Sequence, residues 1–186
     1  MEKLFEISKT QKKLLSIYLR GDSKFWLGYI LNYTSETIDL QHFSTLGKPD
    51  GIIVIKTYNI ERVEFTNDYT KSFDHLIQNS QLLETQTVQE LESSLINEWP
   101  MNVLKQFLEK EKLISLEVND TLETGFVRET GDDCVIIHSI GTLGEDNGLA
   151  CYRIADINSI QVDTQRQRKA ELLYRWRKEK NKLRQN

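Results

Sequence analysis

An internal repeat restricts the fold of this chain more than any other feature of its sequence. Two stretches match each other at an offset of 97 residues without a gap, and glycines and apolar residues coincide although few residues are identical. The matching segments are Gly28–Ile30 and Gly125–Val127, Ile38–Leu40 and Val135–Ile137, Thr45–Gly51 and Thr142–Gly148, and Ile60–Phe65 and Ile157–Val162. Self-similarity of this kind is typical of a duplicated structural unit. The sequence therefore predicts two copies of one small fold.

Each copy is predicted to contain five short strands, because β-branched and aromatic residues are enriched in runs that turn residues separate. The strands expected in the first copy are Leu14–Leu19, Phe25–Tyr33, Thr37–Phe43, Ile52–Tyr58 and Ile60–Phe65. Those expected in the second copy are Leu113–Val118, Thr124–Glu129, Cys134–Ser139, Leu149–Ile154 and Ile157–Val162. Closing such strands into a bent barrel buries one face and removes exposed edges. We therefore expect a mainly β fold with helices (α+β), built from two duplicated five-stranded small β-barrels.

Helical patterns fill the segments outside the two copies. Thr87 and Glu90 have the spacing of a capping box, and Pro100 suits the first position of a further helix. A last helix is predicted from about Gln165. The expected domains are a first barrel with a following helix over residues 1–79, a helical connector over 80–111, and a second barrel with a basic C-terminal helix over 112–186.

Four features of each copy resemble the Sm-like and SH3-like small barrels of bacterial proteins. They are the glycine that opens the second strand, the apolar third strand, the Gly-x-x-Asp/Asn-Gly turn and the Ile-x-x-Ile/Val pattern of the fifth strand. The resemblance covers most of the chain and implies a barrel fold, single-stranded RNA binding and assembly through strand edges. The Sm pattern also has a basic residue and then Gly entering the fifth strand, whereas Glu61-Arg62 and Asn158-Ser159 stand here. The family's RNA pocket is therefore not carried over to any residue.

The charges of the chain are unevenly distributed. Residues 166–184 contain nine bases and two acids, a net charge of +7, whereas the rest of the chain contains 15 bases and 26 acids, a net charge of −11. A basic arm of this kind can contact nucleic acid, and a solvated terminal helix is the alternative interpretation. If the arm binds nucleic acid, the candidate contacts are Arg175, Arg177, Lys178 and Lys182.

Aromatic residues are concentrated near the second strand of the first copy. They are Phe25, Trp26, Tyr29 and Tyr33, and the second copy has Leu122, Glu123, Phe126 and Thr130 at the matching positions. Such rings could stack bases or cover a peptide. Packing in the core is the other interpretation, since aromatic side chains dominate cores.

The sequence offers few groups for a catalytic, cofactor or metal site. The three histidines form no His-x-x-x-His pair and the two cysteines form no Cys-x-x-Cys pair, so no zinc site is predicted. A hairpin centred near Gly144 would bring His138 roughly opposite Cys151, which makes a Cys–His nucleophile possible. A small buried thiol beside a packed histidine is the alternative. We expect no enzyme, no cofactor and no metal.

The expected function is a non-enzymatic binding or regulatory module with a protein partner or self-association. RNA or DNA binding through residues 166–186 is the alternative. No membrane association is expected, because the longest aliphatic run is Ile52–Ile55 and a membrane helix needs about 20 apolar residues. The first residues have no apolar signal region, so a cytoplasmic location with Cys134 and Cys151 as free thiols is expected.

Overall fold

Two five-stranded antiparallel sheets form the framework of residues 1–84 and 100–185, the part of the chain that the computed structural model describes. The chain divides into two units, Met1–Ser80 and Gln81–Asn186, and each unit contains one sheet. Four α-helices accompany the sheets in the described residues. The α+β class is therefore confirmed.

The first unit places its first and last strands side by side. Its elements are α1 (Glu2–Gln11), β1 (Leu15–Leu19), β2 (Phe25–Tyr33), β3 (Thr37–Phe43), β4 (Pro49–Lys56), β5 (Ile60–Phe65) and α2 (Asp68–Gln78). The strand order is β4-β3-β2-β1-β5, and a 3-10 turn at Thr57–Asn59 connects β4 to β5. The ends of the sheet are therefore β4 and β5.

The second unit has the same strand order. Its elements are α3 (Met101–Lys110), β6 (Leu113–Val118), β7 (Thr121–Thr130), β8 (Cys134–Ile140), β9 (Asp146–Arg153), β10 (Ile157–Val162) and α4 (Gln165–Gln185). The sheet order is β10-β6-β7-β8-β9. The bounds of β8, β9 and β10 lie 97 residues after those of β3, β4 and β5.

Neither sheet closes into a barrel. In the described residues no ladder joins β4 to β5 or β9 to β10, so the predicted barrel closure is not confirmed. A helix covers the apolar face of each sheet instead: α1 packs on β2 and α3 packs on β7. Because helices bury that face, the strands do not have to curl around it to form a core.

The core of each unit lies between its sheet and its helices. Five buried residues of each sheet occupy matching positions: Ile17, Ile30, Ile38, Leu40 and Ile60 in the first sheet, and Ile114, Val127, Val135, Ile137 and Ile157 in the second. The helices add Phe5 to the first core and Val103, Leu104 and Phe107 to the second. Burying one such side chain stabilises a unit by about 1.5–3 kcal/mol.

The structure tests the predicted starts of the last helix and of the helix at Pro100, whereas a third prediction lies outside the described residues. The last helix begins at Gln165, as predicted. Pro100 is the N-cap of α3 and precedes its first residue, rather than occupying it. The capping box at Thr87 and Glu90 lies outside the described residues. None of the described helices is both long and apolar enough to cross a membrane.

A glycine in β2 and its counterpart in β7 allow the neighbouring strand to approach closely. A Cβ on Gly28 would lie 2.1 Å from the carbonyl oxygen of Gln41, and one on Gly125 would lie 2.3 Å from that of His138. Both contacts are with backbone, which cannot move aside as a flexible side chain can. Any residue other than glycine is therefore expected to distort the pairing of β7 with β8.

We predict that Gly125→Ala lowers the free energy of unfolding by about 3 kcal/mol, at the upper end of the effect of overpacking a core. Urea unfolding followed by circular dichroism measures the change. Gly131→Ala is the matched control, because its added Cβ would lie 3.5 Å from its nearest neighbour, an ordinary contact. Equal unfolding midpoints for the two variants would contradict the close-approach argument.

Candidate functional site

The basic C-terminal helix begins with a capping box that attaches it to the second sheet. The Thr164 hydroxyl accepts a hydrogen bond from the N–H of Gln167 at 3.2 Å, and Oε1 of Gln167 accepts one from the N–H of Thr164 at 2.8 Å. This reciprocal pattern satisfies amides that the start of a helix leaves unpaired. The Gln167 side chain also donates to Oγ of Ser115 at 2.9 Å and to the carbonyl of Gln161 at 2.7 Å. The start of α4 is thereby held against β6 and β10.

Two arginines of α4 hold the helix in place. Arg168 Nε donates to the carbonyl of Leu83 at 2.8 Å, and its Nη1 lies 3.0 Å from Oδ1 of Asp163. Arg177 Nε donates to the carbonyl of Leu143, in the turn between β8 and β9, at 2.8 Å. Among the four candidate nucleic-acid contacts, Arg177 is thus the one that faces the body of its own unit.

The other three candidates share the exposed side of α4. Arg175, Lys178 and Lys182 are exposed, and residues three and four apart lie on one helix face. Nε of Arg175 lies 3.0 Å from Oε1 of Glu171, and the Lys178 ammonium lies 5.9 Å from the centre of the Tyr174 ring. Exposed pairs contribute only about 0–1 kcal/mol, so these contacts leave the charges available to an anionic partner. We call Arg175, Lys178 and Lys182 the basic stripe.

The aromatic residues of β2 pack within the first unit. Tyr29 donates a hydrogen bond to Oδ1 of Asp74 at 2.6 Å, and burial together with this bond raises the pKa of Tyr29. The Trp26 ring meets the ring of His42 edge-on at 5.1 Å, and the Tyr33 ring lies 5.9 Å from that of Phe5. These contacts favour the packing interpretation over a platform for stacking bases.

His138 is engaged on both ring nitrogens. Its Nε2 lies 2.7 Å from Oδ1 of Asp146, and its Nδ1 lies 3.2 Å from Nη2 of Arg128. A guanidinium only donates hydrogen bonds, so Nδ1 of His138 accepts from Arg128. The proton of the ring is then on Nε2, and Nε2–H donates a hydrogen bond to Asp146. The hydrogen bond from His138 lowers the pKa of Asp146, and the backbone N–H of Gly148 adds to the effect. The arrangement joins β7, β8 and the start of β9.

The structure corrects the expected pairing of His138 with Cys151. His138 lies opposite Leu149, and Cys151 lies opposite Ile136. The thiol nearest to Cys151 belongs to Cys134, and the hydrogen bond between the two raises the pKa of Cys134, with burial adding to the effect. The geometry therefore gives no support to a Cys–His nucleophile.

The cavity beside α4 is a weak candidate for a ligand site. A cavity of 220 Å³ opens beside α4 and is lined by residues that include Glu123, Ser139 and Arg166. It is smaller than the roughly 300–1,000 Å³ of typical ligand pockets, and it carries charges of both signs. Across residues 1–84 and 100–185, no three His, Cys, Asp or Glu side chains lie close enough together to hold a metal ion.

One end strand of each sheet exposes aliphatic or thiol side chains. On β4 the side chains of Ile52 and Val54 are 61% and 65% exposed. The residues 97 positions later on β9 are Leu149, which is 70% exposed, and Cys151, which is also exposed. Aliphatic residues on an unpaired strand are a template for pairing with another chain. We call the side of β4 that pairs with no strand in residues 1–84 and 100–185, from Asp50 to Lys56, the β4 edge, or the free side of β4.

The backbone groups on the β4 edge follow from the pairing of β4 with β3. The N–H of Thr57 donates to the carbonyl of Glu36 at 2.8 Å, so residues 57, 55 and 53 direct their backbone groups toward β3. In an antiparallel pair the groups of alternate residues point to opposite sides. The N–H and C=O groups of Ile52, Val54 and Lys56 therefore point to the free side.

The opposite end of the same sheet is protected by charge. β5 carries Glu61, Arg62 and Glu64, and Nε of Arg62 lies 3.3 Å from Oε1 of Glu64. Charged side chains on an end strand discourage edge-to-edge pairing. The first sheet thus has charged side chains on one end strand, β5, and exposed aliphatic side chains on the other, β4.

Comparison with known proteins adds no relative to this description. No family model matches the chain, and no curated protein and no solved structure matches it either. The candidate sites therefore depend on their own geometry.

One of these features has a signal in the sequence beyond the strand and helix patterns, and another has none. Thr164 and Gln167 have the spacing of a capping box immediately before the basic helix. The run Ile52–Ile55 shows no polar alternation, so the pattern does not indicate that one of its faces is exposed. Only the position of β4 at the end of the sheet shows this.

We predict that Asp146→Asn destabilises the protein at pH 7 by less than about 1 kcal/mol, because the carboxylate is largely exposed and screened. The folded state lowers the pKa of Asp146, so its stabilisation exists above the ordinary pKa and disappears as the pH falls through the lowered value. The difference from the natural chain should therefore stay constant from pH 7 down to about pH 5 and shrink below about pH 4, the ordinary range of an aspartate pKa. Urea unfolding at several pH values measures it, with Asp132→Asn as control. A difference that does not change with pH would contradict the His138–Asp146 interaction.

Proposed function

We propose that the protein is a non-enzymatic protein-interaction module that binds through the β4 edge. The observation that carries the proposal is the contrast between the two ends of the first sheet. Ile52 and Val54 are exposed at one end, whereas Glu61, Arg62 and Glu64 occupy the other. Exposed aliphatic residues beside unpaired backbone groups are what strand addition requires.

The mode of binding is the addition of an extended segment to the sheet. Its backbone would pair with the outward N–H and C=O groups of Ile52 and Val54, which gives affinity, and its alternate side chains would contact the two aliphatic side chains, which gives specificity. Burying these two side chains contributes about 1.5–3 kcal/mol each. Association itself costs about 4–15 kcal/mol, so the partner has to supply apolar side chains of its own.

The proposal includes the family resemblance. Two open copies of a unit that resembles an Sm-like or SH3-like small barrel, related by duplication, are supported by the common strand order and by matching bounds of the last three strands. Irregular pairing also recurs at matching positions, between Ile30 and Asn32 and between Val127 and Glu129. The proposed location is the cytoplasm, where Cys134 and Cys151 would stay reduced as free thiols.

We predict that Ile52→Lys together with Val54→Lys reduces recovery of a bound protein partner by about tenfold or more. Burying an unpaired ammonium costs well over the 1.4 kcal/mol that corresponds to tenfold in affinity. The measurement is quantitative mass spectrometry of proteins cross-linked to the tagged chain in its native cells. Asn158→Lys with Gln161→Lys is the matched control, since it adds the same charge to exposed positions of β10. Equal recovery with both double variants would count against the β4 edge.

Nucleic-acid binding is the second candidate function, and the basic stripe is the observation that favours it. Arg177 does not belong to the basic stripe, because its Nε donates to the carbonyl of Leu143. Phosphate contacts by the three remaining bases would be electrostatic and sensitive to salt.

For this candidate we predict a weaker salt dependence of RNA binding when Arg175, Lys178 and Lys182 are changed to Gln. The slope of log affinity against log salt for single-stranded RNA should become less steep by about 2, since each neutralised phosphate contributes about 0.7. Fluorescence anisotropy across a salt series measures the slope. Changing Lys3, Lys13 and Lys24 to Gln removes the same charge from exposed positions of the first unit and serves as the control. Absence of binding by the natural chain at low salt would exclude this function.

A further inference from the structure

The β4 edge has the residue order that a strand needs to pair with a copy of itself. We propose that β4 pairs in antiparallel orientation with β4 of a second copy of this chain, in a two-fold register centred on Ile53. This inference rests on the proposed function, since it names the partner of the same edge. The second copy is singled out by the hydrogen-bond pattern and by charge complementarity.

The hydrogen-bond pattern restricts the possible registers. The backbone groups of Ile52, Val54 and Lys56 point to the free side, as the bond from Thr57 to Glu36 requires. In a symmetric antiparallel pair, outward-pointing residues have to face outward-pointing residues. The centre of symmetry therefore lies on a residue and not between two residues. The registers that also place an exposed aliphatic residue opposite another are centred at Ile52, Ile53 or Val54.

The side chains distinguish these three registers. With the centre at Ile53, Ile52 of each copy lies opposite Val54 of the other, so both pairs are aliphatic. With the centre at Ile52 or at Val54, that residue would face only its own counterpart, so a single aliphatic pair would form. With the centre at Val54, each Ile52 would also lie opposite the ammonium of Lys56. Cross-strand neighbours interact directly, so the register centred on Ile53 is favoured.

The charges at the two ends of the edge fit the same register. Asp50, whose side chain is 66% exposed, lies at one end, and the exposed Lys56 lies at the other. Antiparallel pairing brings the Lys56 end of each strand beside the Asp50 end of the other. The corresponding positions on β9 are Asn147 and Arg153, which lack this complementarity, so β4 and not β9 is the self-pairing edge.

Pairing with the other end of the sheet would give a different assembly. Joining β4 of one copy to β5 of the next is a head-to-tail contact, which produces rings or filaments rather than a dimer. It would set Ile52 and Val54 against the charged residues of β5. The isologous pair avoids this mismatch and closes at two copies.

The first test is the mass of the full chain in solution over a wide concentration range. Sedimentation equilibrium is expected to show a transition from 21.8 kDa to twice that mass. Asp50→Lys and Lys56→Asp are each expected to raise the dissociation constant about tenfold or more, and the double variant should restore it because the charges are exchanged in both copies. Asp132→Lys changes the charge of an exposed turn and should have no effect.

Cysteine cross-linking tests the register directly. Cys134 and Cys151 are first changed to Ser, and Ile52→Cys and Val54→Cys are then introduced into separate chains. Oxidation by air with a copper catalyst is expected to link the two chains in a mixture and to leave each alone unlinked. Linking of the Ile52→Cys chain to itself would indicate a centre at Ile52, and linking of the Val54→Cys chain to itself a centre at Val54. Either result overturns the proposed register.

The outcomes separate this inference from the function on which it rests. A chain that stays at 21.8 kDa at every concentration, or that forms assemblies larger than a dimer, overturns self-pairing through β4. If such a chain still loses a cross-linked partner on Ile52→Lys with Val54→Lys, the β4 edge binds a different protein and the proposed function stands. If that double variant also leaves recovery unchanged, both fail. Circular dichroism and urea midpoints verify that every variant is folded.

Discussion

Covering one face of each sheet with a helix is the constraint from which the other features of this structure follow. Phe5 of α1 reaches the first core, and three apolar residues of α3 reach the second. Once a helix buries the apolar face, the strands gain little by curling into a closed barrel, so each sheet keeps two free ends. The residues on those ends then decide what the protein can bind: β5 has alternating charges, and β4 has Ile52 and Val54.

The basic helix shows how a charge pattern divides between structure and surface. In the sequence all the bases of residues 166–184 have equal weight. In the folded unit Arg168 and Arg177 donate to backbone carbonyls and fix the helix, while Arg175, Lys178 and Lys182 remain on the exposed side. A charge count therefore overstates the surface available to an anionic partner. The bonds from Gln167 to Ser115 and Gln161, together with the burial of Ala170 and Leu173, keep the other side of α4 outward.

The local sequence pattern is enough to predict the strands, but it does not predict how they pair over long distances. The expected bounds of β3 and β5 are those of the structure, because runs of β-branched residues end at clear turn signals. The predicted pairing of His138 was wrong by two residues. Ile140 pairs with Asp146, so the hairpin is centred on Leu143 and not on Gly144 as expected. Helix α1 was missed because only Phe5 and Ser8 of its ten residues are buried. Barrel closure is not predictable from the strand patterns, because it depends on whether a helix covers the sheet, as α1 and α3 do here.

The adjacency of the first and last strands of each unit has a consequence for how the chain folds. Leu15 pairs with Phe65, and Ile114 pairs with Val162, so neither sheet is complete until its fifth strand has been synthesised. Such non-local pairing slows folding, because a loop of the whole unit must close first. All these ladders stay within one unit. During synthesis all five strands of the first sheet therefore emerge from the ribosome before those of the second sheet. This order limits the time during which unpaired strands of the two similar units could pair wrongly.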